Sequence, residues 1–203
     1  MNFISPVIPV GKLQAEPLAE VLTRVFCDEP RFTYLIPDET ERRIVLPEIF
    51  NFAIRESQLY GETYTTPALE GGSLWIAPGR RLTVQRLLRS SSPRTLLKIS
   101  WSSLRRSMKL AAWIEQFRQR LARRPHWYLL ALGVESSKHD KRLREALIEP
   151  VLSQADASGL PCYLETFHES NLPFYEEHGF RIEGSGRMLN GGPNFWAMIR
   201  MPV

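Results

Sequence analysis

Cysteine is nearly missing from this chain. Cys27 and Cys162 are the two present among 203 residues, and they stand far apart. That excludes a disulfide framework, supplies no metal-ligand spacing, and favours a reducing compartment. No apolar run approaches the roughly 18 residues that a membrane span requires, and residues 1–12 have no basic segment followed by an apolar one. The expectation is a soluble, cytoplasmic protein without a membrane partner. Clusters of His, Cys and carboxylates at metal spacing are lacking as well, so no metal is expected. Acidic residues are scarce in one place. Between Arg80 and Arg124 there are 13 Lys or Arg against one acid, Glu115, so this segment carries +12 and the remainder −8 of the +4 total. Such asymmetry marks either a solvated helix face or a surface for anions; the solvated face is the favoured reading, with nucleic-acid binding the weaker one.

What remains is ordinary for a globular chain: 43% hydrophobic and 24% charged residues. The length suits one domain, residues 1–203, with a sizeable core. The most informative stretch is an apolar run over residues 127–134, which lacks period-2 alternation and fits a strand buried on both faces. A polar turn to Asp140 comes next. Then Leu143, Ala146, Leu147, Val151 and Ala155 recur at helical spacing. A strand, loop and helix in that order can seat an anion at the helix N-terminus.

Upstream, residues 3–10 read as a strand restricted to an edge by Pro6 and Pro9. Residues 14–27 form an amphipathic helix, stopped before Pro30. A second helix covers residues 39–58, with Ile44, Ile49, Phe52 and Ala53 as its apolar positions and Pro47 as a kink. Residues 61–66 and 73–77 pair as antiparallel strands around Gly71-Gly72. From Leu97 to Leu121, apolar residues every three or four positions, Trp101 and Met108 among them, predict a long helix with its basic residues facing outward. Residues 161–167 form a further strand, with Glu165 on the face opposite Leu164. Residues 171–178 make a short helix closed by Gly179, and a final hairpin turns at residues 190–193. This alternation gives a mixed α/β sheet.

With these elements set, three runs stand out: HWYLLALGVESS from His126, LIEPVLSQADASGLPCYLETFHESNLPFYEEHGFRIEG from Leu147, and GGPNFWAMIRM from Gly191. Together they resemble the GNAT superfamily of N-acetyltransferases, the run N-x-P-F-Y-E-x-x-G-F at residues 171–180 being the most specific. The likeness extends weakly to VFCDEPRFTYLIPD at Val25 and GGSLWIAPG at Gly71. It implies a mixed, splayed central sheet flanked by helices, with residues 80–124 a basic helical insertion before the central strand and residues 126–201 the coenzyme-binding half.

The resemblance further implies that acetyl-CoA binds along Leu132, Gly133 and Val134, its pyrophosphate cradled by a Q/R-x-x-G-x-G/A loop. Here the aligned residues are His139, Asp140, Lys141, Arg142, Leu143 and Arg144, and neither motif glycine is present. Glycine lets backbone amides approach phosphate closely. The substitution has three readings: the cations replace backbone contacts by charge, the side chains fill the cleft and leave a binding or regulatory module without coenzyme, or the loop suits another anion. By the same likeness Tyr175 is the general acid, unless it only packs between Phe174 and Phe180, and Asn171 caps its helix or bonds the pantetheine arm. Glu165 suits amine deprotonation if burial raises its pKa, or is a structural carboxylate paired with an arginine. His126 and His168 are lesser candidate bases. Trp75, Trp127 and Trp196 could line an acceptor pocket or fill the core. The implied acceptor is a small-molecule or peptide amine; the basic helix and terminal strand each offer a surface for a homodimer.

Overall fold

The computed structural model describes residues 6–80, 99–135, 140–188 and 191–203. Its frame is a seven-stranded mixed sheet ordered β1-β2-β3-β4-β5-β7-β6. These strands are β1 (Ile8–Pro9), β2 (Gly61–Thr65), β3 (Gly71–Ile76), β4 (Trp127–Val134), β5 (Cys162–Thr166), β6 (Phe180–Arg187) and β7 (Asn194–Arg200). The proline-bearing β1 takes an edge, pairing with β2 alone. Of the strand expected over residues 3–10, residues 3–5 lie outside the described residues. All neighbours run antiparallel except β4 and β5.

Two irregularities in β4 shape the centre of the sheet. Leu74 pairs with Ala131 but Trp75 with Leu129, so Leu130 is an extra, bulged residue. The bulge puts Leu130 and Ala131 on the same face and reverses the alternation beyond it. Second, β4 and β5 pair only at Trp127–Cys162, Tyr128–Tyr163 and Leu129–Leu164. β4 then continues to Val134 along β3, and the two central strands part.

Helices cover both faces. On one, α1 (Ala15–Phe26) and α3 (Glu39–Tyr60) bury Leu18, Leu22, Leu46, Phe50 and Ile54 against Leu74 and Ala131. Between them lies the short α2 (Pro30–Leu35), N-capped by Glu29, whose side chain accepts the Arg31 N–H. The long α4 (Trp101–Leu121) lies beyond it, Phe117 and Leu121 packing on Tyr163 and Ala197. On the other face, α5 (Asp140–Ser158) presents Leu143, Leu147, Val151 and Ala155 to Trp75, Trp127, Leu129 and Leu164, joined by α6 (Leu172–Glu177). Gly179, at φ +82°, ends α6 in the left-handed conformation that glycine tolerates.

Some helix faces differ from those expected. In α3, Ile44 is exposed and Val45 and Leu46 are buried instead; the helix runs through Pro47. In α4, Trp101 and Met108 are exposed, at 76% and 45%, whereas Arg118 is buried. A regular apolar spacing names a stripe but not its partner, and here the packed face of α4 includes Leu110 and Arg118. Leu97, expected to open this helix, lies outside the described residues, as do residues 81–98 of the proposed insertion. Cys27 and Cys162 are buried free thiols, and burial pushes Cys162 up to about 12. No helix among the described residues is long and apolar enough to cross a membrane.

Candidate active site

The parting of β4 from β5 opens the sheet at its centre. Beyond Leu129, the β4 edge facing β5 has no strand partner among the described residues, so the backbone of residues 130–134, including Leu132, Gly133 and Val134, keeps hydrogen-bonding groups to offer a ligand. Register sets which side chains border this gap. Leu129 and Leu164 face α5; Tyr128, Tyr163 and Glu165 face α4.

On the α4 side, the Tyr128 hydroxyl donates to Glu165 Oε2 at 2.8 Å. Glu165 Oε1 and the Tyr163 hydroxyl are both buried without a hydrogen-bond partner among the described residues. Burial raises the Glu165 pKa, opposed by the two tyrosines and by Arg118 and Arg31. Arg118 pairs with Glu115 and holds its guanidinium 4.8 Å from the Tyr128 ring centroid. Arg31 stacks on Phe32 and Phe167 at 4.5 and 5.1 Å. The carboxylate is therefore not held in a direct ion pair with an arginine; it has one phenol donor and one open oxygen. Tyr128, Tyr163 and Arg118 escaped the sequence reading because only the strand register and the seating of α4 bring them together.

Opposite, α6 presents Tyr175. Its ring is buried between Phe174 and Phe180, and burial raises its pKa, with the Arg144 charge acting against that rise. The Arg144 guanidinium lies 4.0 Å from the Phe174 centroid and 5.9 Å from that of Tyr175, and donates to Asn171 Oδ1 at 3.3 Å. Asn171 also donates to Thr166 Oγ1 at 3.3 Å and makes no side-chain cap for α6. Thus Tyr175, Asn171 and Arg144 form one cluster on the α5 side of the sheet, the face opposite that of Glu165.

The loop positions are only partly visible. His139 lies outside the described residues; Asp140 opens α5, so Lys141, Arg142, Leu143 and Arg144 belong to its first turns. Leu143 is buried in the core. Lys141 pairs with Glu177 at 2.6 Å, tying α5 to α6, and Arg142 is exposed with no ion pair among the described residues. Of the three cations, then, two already serve contacts between helices.

The remaining candidates fall away from the gap. His126 is half-buried, its Nδ1 2.8 Å from the Arg124 carbonyl, and burial lowers its pKa. His168 is exposed, next to Ser170. Trp75 and Trp127 are core residues, not pocket walls. The tryptophans that do line a cavity are Trp101 and Trp113 of α4.

Comparison with known proteins adds the family. No family model matches the chain. An uncharacterized N-acetyltransferase of Schizosaccharomyces pombe is 30% identical over 174 residues, covering 82% of this chain and 70% of that protein. A Corynebacterium glutamicum structure described as histone acetyltransferase HPA2 and related acetyltransferase superposes with TM-score 0.70 at 20% identity, over 99% of this chain and 98% of the other. Arylalkylamine N-acetyltransferase 2 from Aedes aegypti gives TM-score 0.63 at 14% identity, over 96% and 97% of the two chains. With its sheet parted between β4 and β5 and this relative among the N-acetyltransferases, the chain belongs to the GNAT superfamily of N-acetyltransferases.

Proposed function

We propose that the protein transfers an acetyl group from acetyl-CoA directly to a primary amine through the gap between β4 and β5. The observation that carries this reading is the gap itself: an unpartnered strand edge with a buried phenol on one side and a buried, half-satisfied carboxylate on the other. A pantetheine arm could pair with the free backbone groups of residues 130–134, and the N-terminus of α5, which follows β4 in the chain, offers free N–H groups that favour a pyrophosphate. Arg142 would supply charge where the loop lacks glycine.

The residues then divide the work. Glu165, with its pKa raised by burial, takes a proton from the incoming ammonium, directly or through water. The free amine attacks the thioester carbonyl, whose oxygen is stabilised by a β4 backbone N–H. The adduct's nitrogen releases its extra proton to water; as the adduct collapses the C–S bond breaks, and Tyr175, kept protonated by burial, gives its proton to the departing thiolate and regains one from solvent. Arg144, bonded to Asn171, lies beside the Tyr175 ring, and both side chains would bond the arm as it enters.

Thiol release from acetyl-CoA in the presence of a panel of primary amines tests this. Tyr175→Phe should lower kcat by about 10²- to 10⁴-fold, the usual worth of a general acid, while calorimetry shows acetyl-CoA affinity retained. An unchanged kcat removes Tyr175 from the mechanism. Absence of any heat with millimolar acetyl-CoA would favour the other reading, a fold of this family that serves without coenzyme.

A further inference from the structure

Between α2, α4 and the end of β6 lies a second cavity, of about 390 Å³, that the transfer chemistry does not use. Its walls are aromatic: Tyr34, Trp101 and Trp113, with Leu110 and Met188 as its floor. Its rim is cationic, carrying Arg105, Arg106 and Lys109, and no acidic residue among the described ones lines it. Trp101, Arg105 and Lys109 recur every four positions, so they share one exposed stripe of the helix. Trp101 is 76% exposed, an unusual state for the largest apolar side chain. Arg106 is fixed by donating to the Leu35 carbonyl at 3.0 Å and to Ser103 Oγ at 3.2 Å, neither of which carries charge. Glu41, the carboxylate that meets this end of α4, is occupied by the Ser100 N–H. Arg105, Arg106 and Lys109 therefore form no ion pair among the described residues, and like charges four apart on a helix repel one another. An anion seated here would remove that repulsion.

The cavity and the carboxylate of the gap share one side of the sheet. On α4, Trp113 precedes Arg118 by five residues, about 8 Å at the helical rise of 1.5 Å per residue. On α2, Tyr34 of the cavity stands one turn after Arg31, whose charge acts on Glu165. Just past the end of β5, Phe167 follows Glu165 by two residues and packs in one cluster with Leu110, Trp113 and Met188. Three elements thus set the same short span between rim and carboxylate.

We propose that this cavity receives the non-reacting end of the acceptor, and that this end is a planar ring bearing a carboxylate. The ring stacks among Tyr34, Trp101 and Trp113, and the carboxylate meets the Arg105 guanidinium fork and Lys109. The amine then projects toward Glu165. This rests on the acetyl-transfer reading above, and it accounts for the basic α4 as a specificity element of the acceptor site.

Trp101 and Trp113 make the cavity its own reporter. The full chain, without coenzyme, is titrated with 4-(aminomethyl)benzoate and with benzylamine while tryptophan fluorescence is followed. The expected result is saturable quenching by the acid at least tenfold tighter than by benzylamine. Trp101→Phe should remove most of the signal, and the double variant Arg105→Glu, Lys109→Glu, verified as folded by its melting temperature, should erase the preference. Turnover with acetyl-CoA should follow the same order, kcat/KM for the acid exceeding that for benzylamine at least tenfold. Equal binding of the two amines, or a preference that survives the double variant, overturns the proposal. Selective quenching without turnover of either amine counts instead against acetyl transfer, because the titration contains no coenzyme.

Discussion

As the proposed base, Glu165 would work as an anion in a place that disfavours one. Burial holds its proton to a higher pH than an ordinary carboxylate, whose pKa is about 4.3, and the Tyr128 hydroxyl only partly offsets this. Between the unfolded and folded pKa values the folded state keeps a proton that the unfolded chain has released, so stability falls as pH rises through that window. Glu165→Gln should flatten this fall in a melting-temperature series from pH 4 upward, and should also abolish the acid limb of the kcat/KM profile, which in the native enzyme lies above the ordinary carboxylate range. A variant that keeps both the slope and the limb would show that another group is the base. Glu165 was legible in the sequence because strand alternation alone turns it away from Leu164. Its partners were not: Tyr128 is 37 residues away in sequence, and Arg118 lay on a helix whose basic residues were expected to face solvent.

At the scale of elements, the missing glycines of the loop have counterparts one strand over. Gly71 and Gly72 of β3 pair with Val134 and Gly133 of β4 at the end of the central strand. A Cβ on Gly71 would overlap the Gly133 carbonyl oxygen and come within 2.8 Å of Val134 Cα, both backbone atoms that cannot swing away. A Cβ on Gly133 would sit 2.6 Å from Phe26 Cε2. These glycines let α1, β3 and β4 close up where the coenzyme arm is proposed to lie. Gly71→Ala should therefore cost about 1–3 kcal/mol, the usual range for overpacking, and weaken acetyl-CoA binding through displacement of residues 133–134. Denaturant unfolding with a parallel binding titration checks both; an alanine variant as stable and as tight as the parent would refute the close-packing account. Elements were easier to read from the sequence than their faces. Strand β4 matched its apolar run end to end, since a doubly buried strand needs no knowledge of its neighbours. In α4 the apolar spacing was real, but Trp101 belongs to a cavity wall and Arg118 to a buried cluster, and only the packed sheet decides that.

Considered whole, the molecule is two arms of one sheet. Strands β1 to β4 with α1 and α3 make one, β5 to β7 with α4 the other, and the seam between them is three residue pairs long. The core cluster under α5 crosses that seam, with Trp127 and Leu129 of β4 on one side and Cys162 and Leu164 of β5 on the other, so hydrophobic packing supplies what the short ladder does not. A ligand lying in the gap touches both arms and adds to the seam. By linkage, acetyl-CoA at 100 times its dissociation constant should stabilise the folded state by about 2.7 kcal/mol, which for a chain of this size raises Tm by roughly 5–10 °C. Amide exchange should slow most at residues 130–134, whose groups on the open edge gain partners, and little in β2 or β6. Inorganic pyrophosphate separates the causes. If it alone reproduces the whole shift, the stabilisation belongs to an anion at the α5 N-terminus and not to a pantetheine arm in the gap. If acetyl-CoA protects residues 130–134 and pyrophosphate does not, the strand edge binds the arm, and the altered loop has kept its partner without its glycines.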